Sequence, residues 1–117
     1  MRKGALYRAE SNICLVPNVR KTTTMLERMR GLLARPPLQA GEGLLIAPCP
    51  SVHTFGMRYA LDLVFLDPAG QVLKLTRQLQ PWRMSSCPRA HATLELPPGT
   101  LEQSSIRIGD RLEWRNE

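Results

Sequence analysis

Two hydrophobic periods divide this chain. In the segment "TTTMLERMRGLLARPP" the apolar positions Met25, Met29, Leu32 and Leu33 recur at helical spacing, and Pro36-Pro37 stop the run. Thr24 followed three residues later by Glu27 is a capping-box pattern, in which each side chain satisfies an amide left bare at a helix start. The spacing therefore predicts one short amphipathic helix with Met25 and Met29 filling core space. Gly31 within it is unfavourable by about 1 kcal/mol relative to Ala, which implies close packing against another backbone.

Elsewhere the period is extended. "GALYRA" and "NICLVPN" read as strands, the second ended by Pro17, which lacks an amide donor for a ladder. "GLLIA" and "VHTFGM" are brief apolar runs, and "YALDLVFLD" is apolar on both faces, as a strand buried on both sides must be. "DPAG" suits a type I turn leading into "QVLKL". "QLQPWRMSSCPRAHA" reads as a loop, and "TLELPPG" as a strand and turn with Leu94 and Leu96 inward and Thr93 and Glu95 outward. A helical turn, a tight turn at "RIGD" and a closing strand "RLEWR" complete the chain. The pattern predicts one domain over residues 1–117, mainly β, a sandwich or partly open barrel of about seven short strands with one packed helix in the N-terminal half.

Composition bounds the function more than it names it. The chain has 117 residues, enough for a core that needs no metal or disulfide staple. No apolar run reaches the roughly 18 residues of a membrane span. The N-terminal segment has no uninterrupted leader-like apolar stretch, so the expected compartment is the cytoplasm, with reduced thiols at Cys14, Cys49 and Cys87. The formal charge of +6 resides entirely in residues 1–35. A basic face there invites phosphate or acidic partners, but only Tyr7 offers a stacking surface in that third, which disfavours nucleic acid.

Three features carry candidate chemistry. Asp62 lies in the most apolar strand, where an ionised carboxylate requires a partner; a guanidinium is expected, from Arg28 or, with a bend in the strand, Arg58. Trp82 sits in a polar loop, where an indole caps the core or floors a ligand site, and Trp114 reads as core. The repeated boxes "CPSVH" and "CPRAH" place Cys49, His53, Cys87 and His91 at matched Cys-x3-His spacing. These are zinc-type ligands in an unusual order, and a Cys49–Cys87 disulfide or unconnected thiols are the other readings. A cysteine nucleophile would need a nearby base or helix N-terminus, which the sequence does not display. No cofactor other than zinc is suggested, and no Walker loop or dinucleotide fingerprint is present.

The ordered set "RMRGLLARPPL", "GEGLLI", "HTFGMRYALDLVFLD", "LELPPG" and "IRIGDRL" resembles the family known as domain of unknown function 192, over about residues 22–112. The resemblance implies a compact, mostly β fold with a packed helix, in a family of uncharacterised small bacterial proteins. Members often show an aromatic residue, Trp, Met, Lys, Asn and Thr where this chain has Phe55-Gly56-Met57-Arg58-Tyr59-Ala60. By that correspondence Phe55, Met57, Arg58 and Asp62, with Arg28, Glu95 and Asp110, mark a shared structural or binding centre, to which His53 and Trp82 are added as neighbours in sequence or chemistry. Many relatives resemble exported or envelope proteins. The function expected is a non-catalytic binding or assembly module for a protein or small molecule, with envelope or secretion machinery as a context; the alternatives are a metal- or thiol-dependent enzyme using the two boxes, and nucleic-acid binding through the basic third.

Overall fold

The structure is a computed structural model describing residues 1–33 and 35–117. Nine strands and two short helices follow in the order β1 (Arg2–Arg8), β2 (Ile13–Lys21), α1 (Met25–Arg30), β3 (Glu42–Ile46), β4 (Ser51–His53), β5 (Leu61–Leu66), β6 (Val72–Leu79), β7 (Met84–Ser86), β8 (Ala92–Leu96), α2 (Thr100–Gln103) and β9 (Leu112–Asn116). Seven of them form one sheet in the order β6-β5-β8-β3-β2-β1-β9, antiparallel except for the β2–β3 pair, while β4 and β7 form a separate ribbon. No helix among the described residues is long and apolar enough to cross a membrane.

The sheet curls until its edges meet at one end. Gln71 bridges Arg111, the Val72 amide donates to the Asp110 carbonyl (2.8 Å) and the Leu112 amide to that of Gly70 (2.9 Å). Beyond that contact β6 and β9 do not pair, which leaves the expected partly open barrel rather than a closed one. The turn at Asp67 forms as its residues require: Asp67 Oδ1 accepts from the amides of Ala69 (2.9 Å) and Gln71 (2.8 Å).

Apolar side chains cover both faces of the curled sheet. Leu6, Val19, Val64, Leu94, Leu96 and Leu112 pack on one face, joined by Leu101 and Ile106 from the segment that begins with α2. Leu44, Ile46, Leu61, Leu63 and Phe65 pack on the other, joined by Leu32, Val52 and Met57. β5 supplies alternate residues to each cluster and is buried throughout. β8 is buried throughout as well, so the outward placement expected for Thr93 and Glu95 is wrong: they are 0% and 3% exposed.

Two local expectations also change. Pro17 does not end β2; it falls where the β1–β2 register shifts between the Gly4–Val19 and Leu6–Val16 pairs, and β3 begins pairing only at Asn18. A bulge is where a residue without an amide donor does least harm. The helix is six residues long and buries none of them, leaving Met25 65% and Met29 72% exposed rather than in the core. Its capping box forms, Thr24 Oγ1 accepting from the Glu27 amide and Glu27 Oε1 from that of Thr24. Gly31 then ends it at φ 54°, so the helical period cannot carry Leu32 and Leu33 onto the same face as the methionines. Leu32 alone of the four is buried.

Asp62 is 1% exposed, but no guanidinium among the described residues holds it. Its Oδ1 accepts from the amide of Gln78, a residue at φ 49°, and its Oδ2 from the amide of Leu101, both at 2.8 Å. α2 has Gly99 at its N-cap and no side chain of its own there to accept from the first turn, so Asp62 supplies that acceptor from across the fold. Backbone donors suffice because each oxygen receives a short charge-assisted bond. Replacing Asp62 with Asn turns one acceptor into a donor facing an amide; we expect a loss of about 2–3 kcal/mol in urea unfolding. An unchanged midpoint would mean that the tether carries no stability.

Candidate functional site

The end of α1 passes over β8 at Gly31. A Cβ on this residue would lie 3.3 Å from Glu95 Oε1, so the glycine lets the backbone cross closely above the carboxyl group. The close approach anticipated for Gly31 is thus made to a side chain, not to another backbone.

Around Glu95 a cleft of ≈ 90 Å³ opens between the segment 28–33, β4 and the sheet. Leu32, Ile46, Val52, Met57 and Leu61 give it apolar walls, and Arg28, His53 and Phe55 contribute polar and aromatic lining. Glu95 has no hydrogen-bond or ion-pair partner among the described residues. Burial alone pushes its carboxyl up to about 8, because the apolar surroundings disfavour the charged form and nothing compensates. The hydroxyl of Tyr59 is buried without a partner among the described residues as well. Burial raises that phenol, with a further push from Glu95, which places the two groups within electrostatic reach of each other.

The aromatic wall continues outward from the cleft. His53 stacks on Phe55 with ring centroids 5.0 Å apart, and Phe55 on Trp82 at 5.9 Å. Phe55 is 43% and Trp82 64% exposed, so this ladder lies at the surface. Thr54, fully buried and set between His53 and Phe55 in sequence, holds it: its hydroxyl donates to the Gln80 carbonyl (2.6 Å) and accepts from the Arg83 amide (3.0 Å), while its carbonyl accepts from the amides of Met57 and Trp82 (3.1 Å each). Trp82 adopts φ 63°, a conformation that these loop contacts impose on a large residue.

The two cysteine-histidine boxes do meet, but through backbone. The Cys49 amide donates to the His91 carbonyl and the Cys87 amide to the Pro50 carbonyl, both at 2.8 Å. All three cysteines are free, and no group of three or more His, Cys, Asp or Glu gathers to hold a metal among the described residues, so Cys49, His53, Cys87 and His91 do not converge as a ligand set. Cys49 lines the cleft, donating its thiol to the Ser51 carbonyl (3.1 Å). Burial first, and the charge of Glu95 in addition, push this thiol up, the reverse of what a nucleophile needs.

Of the residues singled out from sequence, Arg28, His53, Phe55, Met57 and Glu95 line one cleft, and Trp82 joins it through Phe55. Arg58 is exposed and outside the lining, Asp62 serves the opposite core, and Asp110 belongs to the barrel end, where it pairs with Arg8 at 3.0 Å. Trp114 is half-buried against the barrel core, its indole donating to the Val19 carbonyl. Thr54 shows in the sequence only as the polar residue inside "HTFGM", and the buried hydroxyl of Tyr59, unpartnered among the described residues, shows only in the fold.

A larger hollow of ≈ 650 Å³ lies between β1, β2 and the segment 35–44. It mixes Lys3, Arg20 and Arg115 with Glu42 and Glu117, and among the described residues no buried charged side chain faces it. We regard it as a surface groove and the smaller cleft as the site, because only the latter holds a desolvated titratable group.

The sequence matches the family DUF192, described as Uncharacterized ACR, over residues 8–114. It is 38% identical over 104 residues to a UPF0127 protein of Pyrococcus furiosus, covering 82% of this chain and 85% of that protein. A UPF0127 protein of Thermococcus sibiricus is 31% identical over 106 residues, 85% of this chain and 67% of its own length. Similar relatives thus occur in archaea, and the bacterial label drawn from the resemblance is too narrow. Among solved structures, a Sinorhizobium meliloti 1021 protein for which a role as a transcription regulator has been suggested aligns with a TM-score of 0.80 at 21% identity, covering 97% of this chain and 92% of that one. A protein of unknown function from Novosphingobium aromaticivorans DSM 12444 gives 0.78 at 20% identity, covering 96% and 84%. At those identities the likeness establishes the fold alone.

Glu95 sets a pH dependence for stability. Its pKa is raised by folding, from an ordinary 4.5 to about 8, so the folded chain holds the proton more tightly than the unfolded one. The fold is therefore most stable below pH 4.5 with respect to this group, and that advantage is lost as pH rises to about 8. We expect a slope of up to about 1.4 kcal/mol per pH unit in that window, absent in Glu95→Gln. Urea midpoints measured at pH 5 and pH 8 check it; identical pH profiles for the two proteins would contradict it.

Proposed function

The chain belongs to the domain of unknown function 192 family, and from that premise we propose that it is a non-catalytic binding module whose ligand-receiving site is the cleft over Glu95. The observation that carries this reading is a carboxyl group on a residue only 3% exposed, unpartnered among the described residues, at the edge of an accessible space. Folding isolates Glu95 from water at a free-energy cost, and an incoming group able to hydrogen-bond or ion-pair with it recovers part of that cost.

The surroundings suit capture better than turnover. Acid-base or covalent catalysis needs a second group matched to the first; the Cys49 thiol is engaged as a donor to a carbonyl with its proton held more tightly by burial, and His53 is exposed with its ring stacked on Phe55. Exposed Met29, Leu33 and Phe55 line the same cleft, and Trp82 extends the surface beyond Phe55. Large apolar residues kept at the surface beside a polar-bottomed cleft are a common feature of recognition sites.

Short alkyl probes bearing ammonium, carboxylate or hydroxyl ends test the reading in methyl-labelled protein. At least one is expected to shift the NMR signals of Leu32, Ile46, Met57 and Leu61 in a saturable way. Trp82→Ala or Phe55→Ala should weaken that probe severalfold to about tenfold while leaving the unfolding midpoint nearly unchanged, since both side chains are largely exposed. Failure of every probe to move those signals, at concentrations up to about 50 mM, would remove the cleft from consideration.

A further inference from the structure

We propose that the group received over Glu95 is a primary ammonium on a short aliphatic chain, the ammonium meeting the Glu95 carboxylate and the chain lying along Leu32, Ile46, Met57 and Leu61. This rests on the reading of the cleft as a binding site and adds the charge of its ligand.

The choice of a cation follows from what acts on Glu95 and what does not. No arginine, backbone amide or hydroxyl among the described residues bonds to its carboxyl group, so burial acts on it uncompensated. Arg28 and Arg30 line the same cleft, yet no ion pair to Glu95 forms among the described residues, so its carboxyl group is left for a ligand. A neutral ligand would give Glu95 a hydrogen bond. A cation also permits ionisation in low-dielectric surroundings, where attraction between opposite charges is strongest. The ammonium is a compact charge on a flexible stem, and apolar walls accept the stem while leaving the charged end its polar contacts. The ladder of His53, Phe55 and Trp82 beside the cleft adds aromatic faces of the kind that attract cations.

The ionisable groups near the site are Arg28 and Arg30 from α1, Cys49 from the strand connection, His53 from β4 and Tyr59 from the loop before β5. Cys49 and Tyr59 both hold their protons more tightly than usual, so neither supplies the proton released on binding, and the Glu95→Gln variant separates the proton of Glu95 from any contribution of His53. The exchange balances simply: protonated Glu95 releases its proton to solvent and becomes the carboxylate partner of the incoming ammonium, with no covalent bond formed to the ligand. An alkylammonium keeps its own proton up to about pH 10. Binding is therefore expected to strengthen as pH rises from 6 to 8, by about tenfold per unit at the lower end.

Calorimetric and NMR titrations of the full chain with n-butylammonium, n-butanol, butyrate and Nα-acetyl-lysine amide decide the matter. The expected result is binding of n-butylammonium that tightens with pH and releases close to one proton per ligand at pH 6.5, measured in buffers of differing ionisation enthalpy. Glu95→Gln should weaken it at least tenfold at pH 8 and abolish proton release. Binding of the lysine derivative in the same way would identify a protein side chain as a source of the ammonium; binding of the free amine alone would identify a small molecule, and either outcome supports the proposal. Butyrate binding without amine binding would overturn the cation assignment while leaving the binding site intact. Amine binding without proton release in the wild-type protein would also overturn it, whatever the fate of the variant. Silence from all four probes would instead count against the cleft itself.

Discussion

The adjacent interior strands β5 and β8 are buried on both faces, and this constraint governs the rest of the molecule. In such a strand no polar side chain has water to turn to, so each must find a partner inside the protein or bear the cost of isolation. Three polar residues occupy these strands. Asp62 receives two backbone amides, and Thr93 donates its hydroxyl to the Cys49 carbonyl at 2.7 Å. Glu95, between two leucines on β8, receives nothing from the described residues. One sheet thus contains a carboxylate put to structural use and a carboxyl group left open to something outside the chain.

The local architecture around Glu95 follows from small residues and turns. Gly31 stops α1 above the carboxyl group, Thr54 fastens the loops that present Phe55 and Trp82, and the paired backbones of the cysteine boxes fix β4 against β7. Asp62 works at a distance on the other face, joining the bend at Gln78 to the start of α2 and so helping to shape the barrel on which the cleft is built. The helix that roofs the site contributes little to the core and leaves its methionines outside. A cover of this kind is held by its ends, through the capping box at Thr24 and the turn at Gly31, more than by burial of its face.

Much of the fold was legible because local and tertiary preferences agree. The doubly apolar β5, the Asp67 turn and the capping box each declare themselves in a few residues and form as expected. Asp62 announced its need for a partner, although a run of sequence cannot distinguish a guanidinium from two amides supplied by remote loops. Glu95 misled for a physical reason: Leu-Glu-Leu has the alternation of a half-exposed strand, and only the arrival of the segment 28–33 buries its polar face. The Met25–Met29 spacing misled in the opposite sense, since a helical period signals a potential face without saying what lies opposite it. Matched Cys-x3-His spacing likewise records two similar strand connections that pair through backbone, while their side chains form no disulfide and no metal-ligand group among the described residues.

The central claim is that Glu95 remains a neutral carboxylic acid at neutral pH in the unliganded protein. The most direct measurement is a side-chain carboxyl ¹³C NMR titration with Glu95 assigned by comparison with Glu95→Gln. The account predicts a midpoint of about 8 for this one resonance. A midpoint near 4.5, the ordinary value for a glutamate, would show the carboxyl group to be hydrated or already partnered and would contradict the account.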